Sequence, residues 1–168
     1  IDVSLARLII LLKIQGLSRG HSGVQLATVE LLVELFNQRI TPVIYAQGSL
    51  GASGDLAPLA HMSLALLGEG EVWYNGERKN TVEVFAELGL KPVTLQSKEG
   101  LALLNGTQFM SAHAAYICHE AKQLLEWANY IGAMTLEALD GHLSPFDPDI
   151  HAVRAHPGQI AVAAHMRE

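Results

Sequence analysis

Three small residues in succession, Ala52, Ser53 and Gly54, stand before an acidic residue and a compact apolar run in "GSLGASGDLAPLAHM", residues 48 to 62. Folded tightly, such a tripeptide can react with itself. The amide nitrogen of Gly54 attacks the carbonyl carbon of Ala52, and a five-membered ring closes with loss of water. Loss of a second water from Ser53 leaves an exocyclic methylidene, a strong electrophile. The residue types suit this path: glycine offers an unhindered nitrogen and permissive dihedrals, alanine adds little bulk, and serine carries the leaving hydroxyl. The same tripeptide also reads as a flexible turn feeding a helix cap. On the tripeptide alone, the turn is the commoner reading.

Other arrangements that carry chemistry fail on their residues. "GASGD" has the serine of a G-x-S-x-G nucleophile elbow, but Asp55 takes the last glycine position and "IYAQGSL" is a poor preceding strand. No glycine run ends in the Gly-Lys-Ser/Thr of a phosphate-binding loop. His119-Glu120 is followed by Gln123 where H-E-x-x-H needs histidine, and His113 and His119 fall on different helix faces. His151 and His156 flank Arg154 in a stretch that reads as a loop. No convergent metal-ligand trio results, so no metal is expected and each histidine reads as surface or hydrogen-bonded core. The lone Cys118, on an apolar helical stretch, reads as core.

The elements around the tripeptide are mostly helical. The spacing predicts a helix over residues 1 to 15 closed by Gly16, and a second over 22 to 38 on Leu26, Val29, Leu32, Val33 and Phe36. "RITPVIYAQGSLGASG" reads as a loop. A third helix is expected from Asp55 to Leu67, stopped by Gly68 and Gly70. Its start follows from Pro58, which lacks an N–H and is tolerated only in the first turn. With Asp55 as N-cap, Ala52 to Gly54 stand outside a helix N-terminus, where the backbone presents partial positive charge. "VWYNGERK" suggests a small β-hairpin near 71–79 through Asn75-Gly76. A short helix over 81 to 89 ends at Gly89, and "KEGLALLNGTQ" breaks at Asn105-Gly106. A long helix runs from there to Leu139, with Gly132 a weak point and Thr107 available as a cap.

Composition narrows the function classes. The 168 residues are 49% apolar and 17% charged, which argues against disorder. A formal charge of -6 with no basic stripe gives no reason to expect nucleic acid. "IDVSLARLIILLKI" is interrupted by Asp2, Arg7 and Lys13, so it reads as a core helix and no membrane partner is expected. The single cysteine fits a reducing, cytoplasmic setting. The first helix reads as uncapped, and "GQIAVAAHMRE" stops in helical register after Pro157, so the chain is expected to be a fragment cut at both ends.

With its surroundings, the tripeptide resembles the ammonia-lyases that carry a 4-methylidene-imidazol-5-one (MIO) group. "GSLGASGDLAPLAHM" matches that signature nearly throughout. "GLSRGHSGV" is similar to the upstream glycine-rich turn, "KEGLALLNGTQ" to a second signature, and "GHLSPFDPDIHAVRAHPGQ" to a downstream segment. "APLAHM" and "NGTQ" resemble the histidine type rather than the phenylalanine or tyrosine types. The resemblance implies that the chain is one fragment, 1–168, of the MIO-containing helical domain: a mostly α, long-helix bundle within a larger all-α fold. It implies elimination of ammonia from L-histidine to trans-urocanate in a homotetramer, with Ala52, Ser53 and Gly54 as the electrophile. Asn105 is then a polar group orienting the substrate, and Leu56 lines the pocket. Gln108 and His61 follow the histidine-type pattern without an assigned role.

The family's chain is longer. The segments expected to hold its tyrosine base and its carboxylate-binding arginine have no match here, and Arg154 does not fit that motif. The isolated chain is therefore expected to be inactive, with the ring unformed where the complete fold does not compress it. Phenylalanine or tyrosine lyases, aminomutases and a non-catalytic oligomerisation scaffold are the alternatives.

Overall fold

A computed structural model describes residues 1–48 and 56–168. The chain divides into two units, Ile1–Tyr116 and Ile117–Glu168.

The first unit opens with α1 (Val3–Leu17), followed by α2 (Leu26–Asn37) and a two-residue strand, β1 (Thr41–Pro42). After α3 (Leu56–Leu64) and a 3-10 turn (Ala65–Leu67) come β2 (Glu71–Tyr74), β3 (Glu77–Asn80), α4 (Thr81–Leu88) and α5 (Glu99–Leu104). The expected uncapped start of α1 is corrected: the Asp2 side chain accepts from the Ser4 backbone N–H, supplying a cap. Leu5, Ala6, Ile9, Ile10, Lys13 and Leu17 form the buried face of α1. The expected face of α2 is also offset. Thr28, Leu31, Leu32 and Leu35 are buried, while Leu26 and Val33 are exposed. α1 packs on α2 and on β1, and Leu32, Leu35, Ile40, Leu59, Met62, Leu66 and Val72 join one hydrophobic core.

The hairpin expected near 71–79 is present, and Asn75 and Gly76 both take positive φ, 52° and 82°. That pairing is the I′ geometry that Asn-Gly favours. β1 extends it to a three-stranded antiparallel sheet in the order β1-β2-β3, with Thr41 opposite Trp73 and Pro42 opposite Val72. The sequence had placed β1 in a loop; two residues are too few to show a period-two pattern.

α6 (Gln108–Ala138) is the long helix expected, and it passes through Gly132 without a break. In the second unit a 3-10 turn (Ser144–Phe146) leads into α7 (Pro148–Val153) and α8 (Pro157–His165). The loop expected around His151 is corrected to helix α7, since Pro148 stands in its first turn and Asp147 caps it by accepting from Asp149 N–H at 2.9 Å. α7 packs on α8.

Candidate active site

The residues flanking the tripeptide build its frame; Ala52, Ser53, Gly54 and Asp55 themselves lie outside the described residues. On the upstream side, Val43 N–H donates to the Glu71 carbonyl at 2.9 Å, continuing the pairing of β1 with β2. Two residues later Tyr45 meets α3. Its backbone N–H donates to His61 Nδ1 at 3.4 Å, and the two rings stand edge to face with centroids 5.2 Å apart. Arg78 from β3 donates to the Tyr45 hydroxyl at 2.7 Å and pairs with Glu71. Gly48 reaches the first turn of α3, where a Cβ on it would stand 3.7 Å from Pro58 Cδ. The described chain thus leaves and resumes at one place. Leu56 opens α3 there and is half-buried.

α3 packs against α5, the helix that Asn105 terminates. Asn105 turns to extended backbone, φ -88° and ψ 144°, and its N–H still donates to the Leu101 carbonyl at 3.1 Å. Its carboxamide Nδ2 donates to the same carbonyl at 3.1 Å. Its own carbonyl accepts from Lys13 Nζ at 2.8 Å, across 92 residues of sequence. Gly106 follows with φ 140°, and the Gln108 side chain occupies the space a Cβ there would fill. Only glycine fits that position. The break expected at Asn105-Gly106 is therefore present and is held from three sides.

Two buried ions had no assigned role in the sequence. Lys13, 1% exposed, takes a place in the apolar face of α1, and loss of hydration lowers its pKa from the ordinary 10.5 to about 8. Glu99, also 1% exposed, stands at the start of α5. Its oxygens accept from Gln25 N–H at 2.8 Å, Gln25 Nε2 at 2.6 Å, Thr28 Oγ1 at 2.7 Å and Gln96 N–H at 2.6 Å. Burial alone would raise its pKa; these donors more than offset it and bring the carboxyl down to about 2. Glu99 ties the N-terminus of α2 to that of α5. The signal for Lys13 was its phase, since it falls four residues after Ile9 and four before Leu17 on the buried stripe.

The model of the family described as aromatic amino acid lyase matches residues 1–168. The chain belongs to that family. It is 52% identical over 168 residues to a histidine ammonia-lyase of Deinococcus radiodurans, covering 100% of this chain and 32% of that protein. The crystal structure of a histidine ammonia-lyase from Trypanosoma cruzi superposes with a TM-score of 0.91 at 41% identity, over 99% of this chain and 33% of that one. A tyrosine aminomutase from Streptomyces globisporus gives a TM-score of 0.89, also at 41% identity, over 97% and 31%. The chain thus spans about a third of the length of the curated relatives it matches. The mostly helical fold is that of the ammonia-lyases.

The remaining candidates of this aromatic amino acid lyase chain have local partners. His113 Nδ1 bonds the Phe109 carbonyl at 2.8 Å, and His119 Nε2 bonds Gln123 at 2.8 Å along α6. In the second unit, buried His151 lies between the Pro145 carbonyl and Gln159, each at 3.0 Å. Cys118, expected in the core, is instead exposed on α6. The apolar stretch that suggested burial leaves Ile117, Leu124 and Leu125 exposed too. Among the described residues no helix is long and apolar enough to cross a membrane.

Proposed function

We propose that this chain is the electrophile-bearing segment of a histidine ammonia-lyase, a carbon–nitrogen lyase that converts L-histidine to trans-urocanate and ammonia. The observation that carries the reading is the 52% identity to a histidine ammonia-lyase along all 168 residues. The described frame suits an MIO group made from Ala52, Ser53 and Gly54. A Cβ on Gly48 would stand 3.7 Å from Pro58 Cδ in the first turn of α3, and the N-terminus of a helix carries amide N–H groups without intrahelical partners. The MIO group supplies an electrophilic carbon that captures the substrate amine and makes a poor leaving group a better one.

The chain's own residues then have defined tasks. The N-terminus of α3 favours negative charge arriving beside it. Leu56, the first residue of that helix, lines the pocket and keeps water from the electrophile. Asn105 orients the substrate with a neutral carboxamide, which adds no charge that would titrate. The base and the carboxylate anchor come from parts of the enzyme outside these residues, so the isolated chain does not turn over. A homotetramer in the cytoplasm belongs to the same reading; the exposed apolar face of α6 and the single cysteine support it.

The deciding experiment is peptide mass over residues 52 to 54 in the full-length enzyme carrying this segment. A deficit of two waters, abolished by Ser53→Ala, is the expected result. An unmodified mass in folded protein returns the tripeptide to a turn and favours a scaffold. A tyrosine aminomutase of solved structure is 41% identical, as is the Trypanosoma cruzi histidine ammonia-lyase, and this supports a second reading. A panel of histidine, phenylalanine and tyrosine separates the two, with urocanate formed from histidine alone expected.

A further inference from the structure

We infer that Lys13 is a positioning residue for Asn105, its ammonium holding the main-chain carbonyl at the end of α5 and through it the carboxamide that meets substrate. This rests on the ammonia-lyase reading above. The first argument is place. Lys13 stands in a row with Ile9, Ile10 and Leu17, where an apolar side chain would fill the site without the cost of burying an ammonium. Among the described residues no carboxylate pairs with it. Its bond goes instead to the carbonyl of Asn105 at 2.8 Å.

The second argument is what that bond restrains. A charge-assisted bond to a carbonyl is among the stronger hydrogen bonds a side chain makes. Helix C-termini leave carbonyls without intrahelical partners, and they favour a cation nearby. The acceptor here is the main-chain oxygen of the very residue whose carboxamide is proposed to orient substrate. On the other side of that peptide is Gly106, at φ 140°, where the backbone has wide freedom of its own. Gln108 fills the space over Gly106, while the hydrogen bonds of Asn105 go to Lys13 and the Leu101 carbonyl. The plane of the Asn105-Gly106 peptide is therefore set by Lys13. The Asn105 carboxamide, branching from the same Cα and resting on the Leu101 carbonyl at 3.1 Å, is set with it.

The test uses the full-length enzyme carrying this segment and, for a readout independent of turnover, the 168-residue chain. Lys13→Met is expected to fold and to keep the two-water deficit at residues 52 to 54. It should lose about 10- to 100-fold in kcat, the scale of a small misplacement at a reacting centre, with KM changed much less. Lys13→Arg, which keeps the donor, recovers part of the loss. In an Asn105→Ala background, Lys13→Met adds no further loss, because its effect passes through the group already removed. In the 168-residue chain, the side-chain amide resonances of Asn105 shift in Lys13→Met and return toward the original in Lys13→Arg. Should Lys13→Met not fold, Lys13→Gln takes its place in each comparison.

Unchanged kcat with unmoved Asn105 resonances overturns the inference, and so does a loss that persists in full without the Asn105 carboxamide. The two readings fail separately. Wild-type enzyme that makes no urocanate while the Asn105 resonances still respond to Lys13 sinks the ammonia-lyase reading alone. An active wild type indifferent to Lys13→Met sinks the anchor alone.

Discussion

A carboxylate taken out of water stays ionised only where donors replace the water, and Glu99 shows the terms of that exchange. Burial acts to raise its pKa, and the N–H groups of Gln25 and Gln96 with the Thr28 hydroxyl outweigh it, lowering the carboxyl from the ordinary 4.5 to about 2. A group depressed in the folded state contributes stability that is complete above its unfolded pKa. For Glu99 that contribution is lost as pH falls from 4.5 toward about 2. Glu99→Gln removes the charge and turns an amide donor toward groups that are themselves donors. We expect it to destabilise the chain by about 1–3 kcal/mol near neutral pH, the cost of leaving a buried polar group unpaired. The gap between variant and wild type should narrow as pH falls below 4.5, where the unfolded wild type takes up the proton that folding must then release. Urea unfolding of both proteins near neutrality and near pH 3 reads this directly. An equal gap at the two pH values would show that the ionised form of Glu99 is not what holds α2 to α5.

At the scale of elements, two glycines end helices with the same backbone geometry and different surroundings. Gly68 closes the 3-10 turn after α3 at φ 74°, and Gly89 closes α4 at φ 68°. A side chain at either meets the left-handed penalty, about 1–2 kcal/mol. At Gly89 nothing lies within 4 Å of an added Cβ, whereas at Gly68 it would stand 2.7 Å from Pro92 Cγ. Gly68→Ala is therefore expected to lower the melting temperature clearly more than Gly89→Ala; equal losses would mean that the Pro92 loop yields freely. Both stops were legible in the sequence, as were the Asn75-Gly76 turn and the Asn105 break, because each depends on a residue type with one local conformational use. The misses divide between short-range caps and tertiary context. Asp2 looked like a mere interruption of an apolar run, yet it caps α1 through Ser4. The stretch around His151 read as a loop, yet Pro148 starts helix α7 there. Lys13 read only as another interruption and Glu99 had no assigned place, and their partners lie 92 and 74 residues away in sequence. Of the candidate site, Asn105 and Leu56 were proposed from motifs, but nothing local in "LIILLKIQ" points to the Asn105 carbonyl that Lys13 meets.

At the scale of the whole molecule, the long helix α6 sets the expectation. Among its described residues only Ala112 is buried, while Ile117, Leu124, Leu125, Trp127, Ile131 and Met134 are exposed. Apolar surface left in water costs about 25 cal/mol per Å², and contiguous patches of this kind are seldom left open on a stable monomer. The relatives are about three times as long as this chain, judging by the 32% of the Deinococcus radiodurans protein that it covers. In a protein of that length the remaining chain is available to cover that helix. Taken alone, the 168-residue chain has only further copies of itself. Light scattering coupled to gel filtration is thus expected to give a mass above 18.1 kDa that rises with concentration. Leu124→Lys combined with Ile131→Lys should move it toward the monomer, because an ammonium on each removes the gain from burying that face. A monodisperse monomer for the unmodified chain would show that the face of α6 does not drive assembly. The proposed homotetramer would then need surfaces outside these residues.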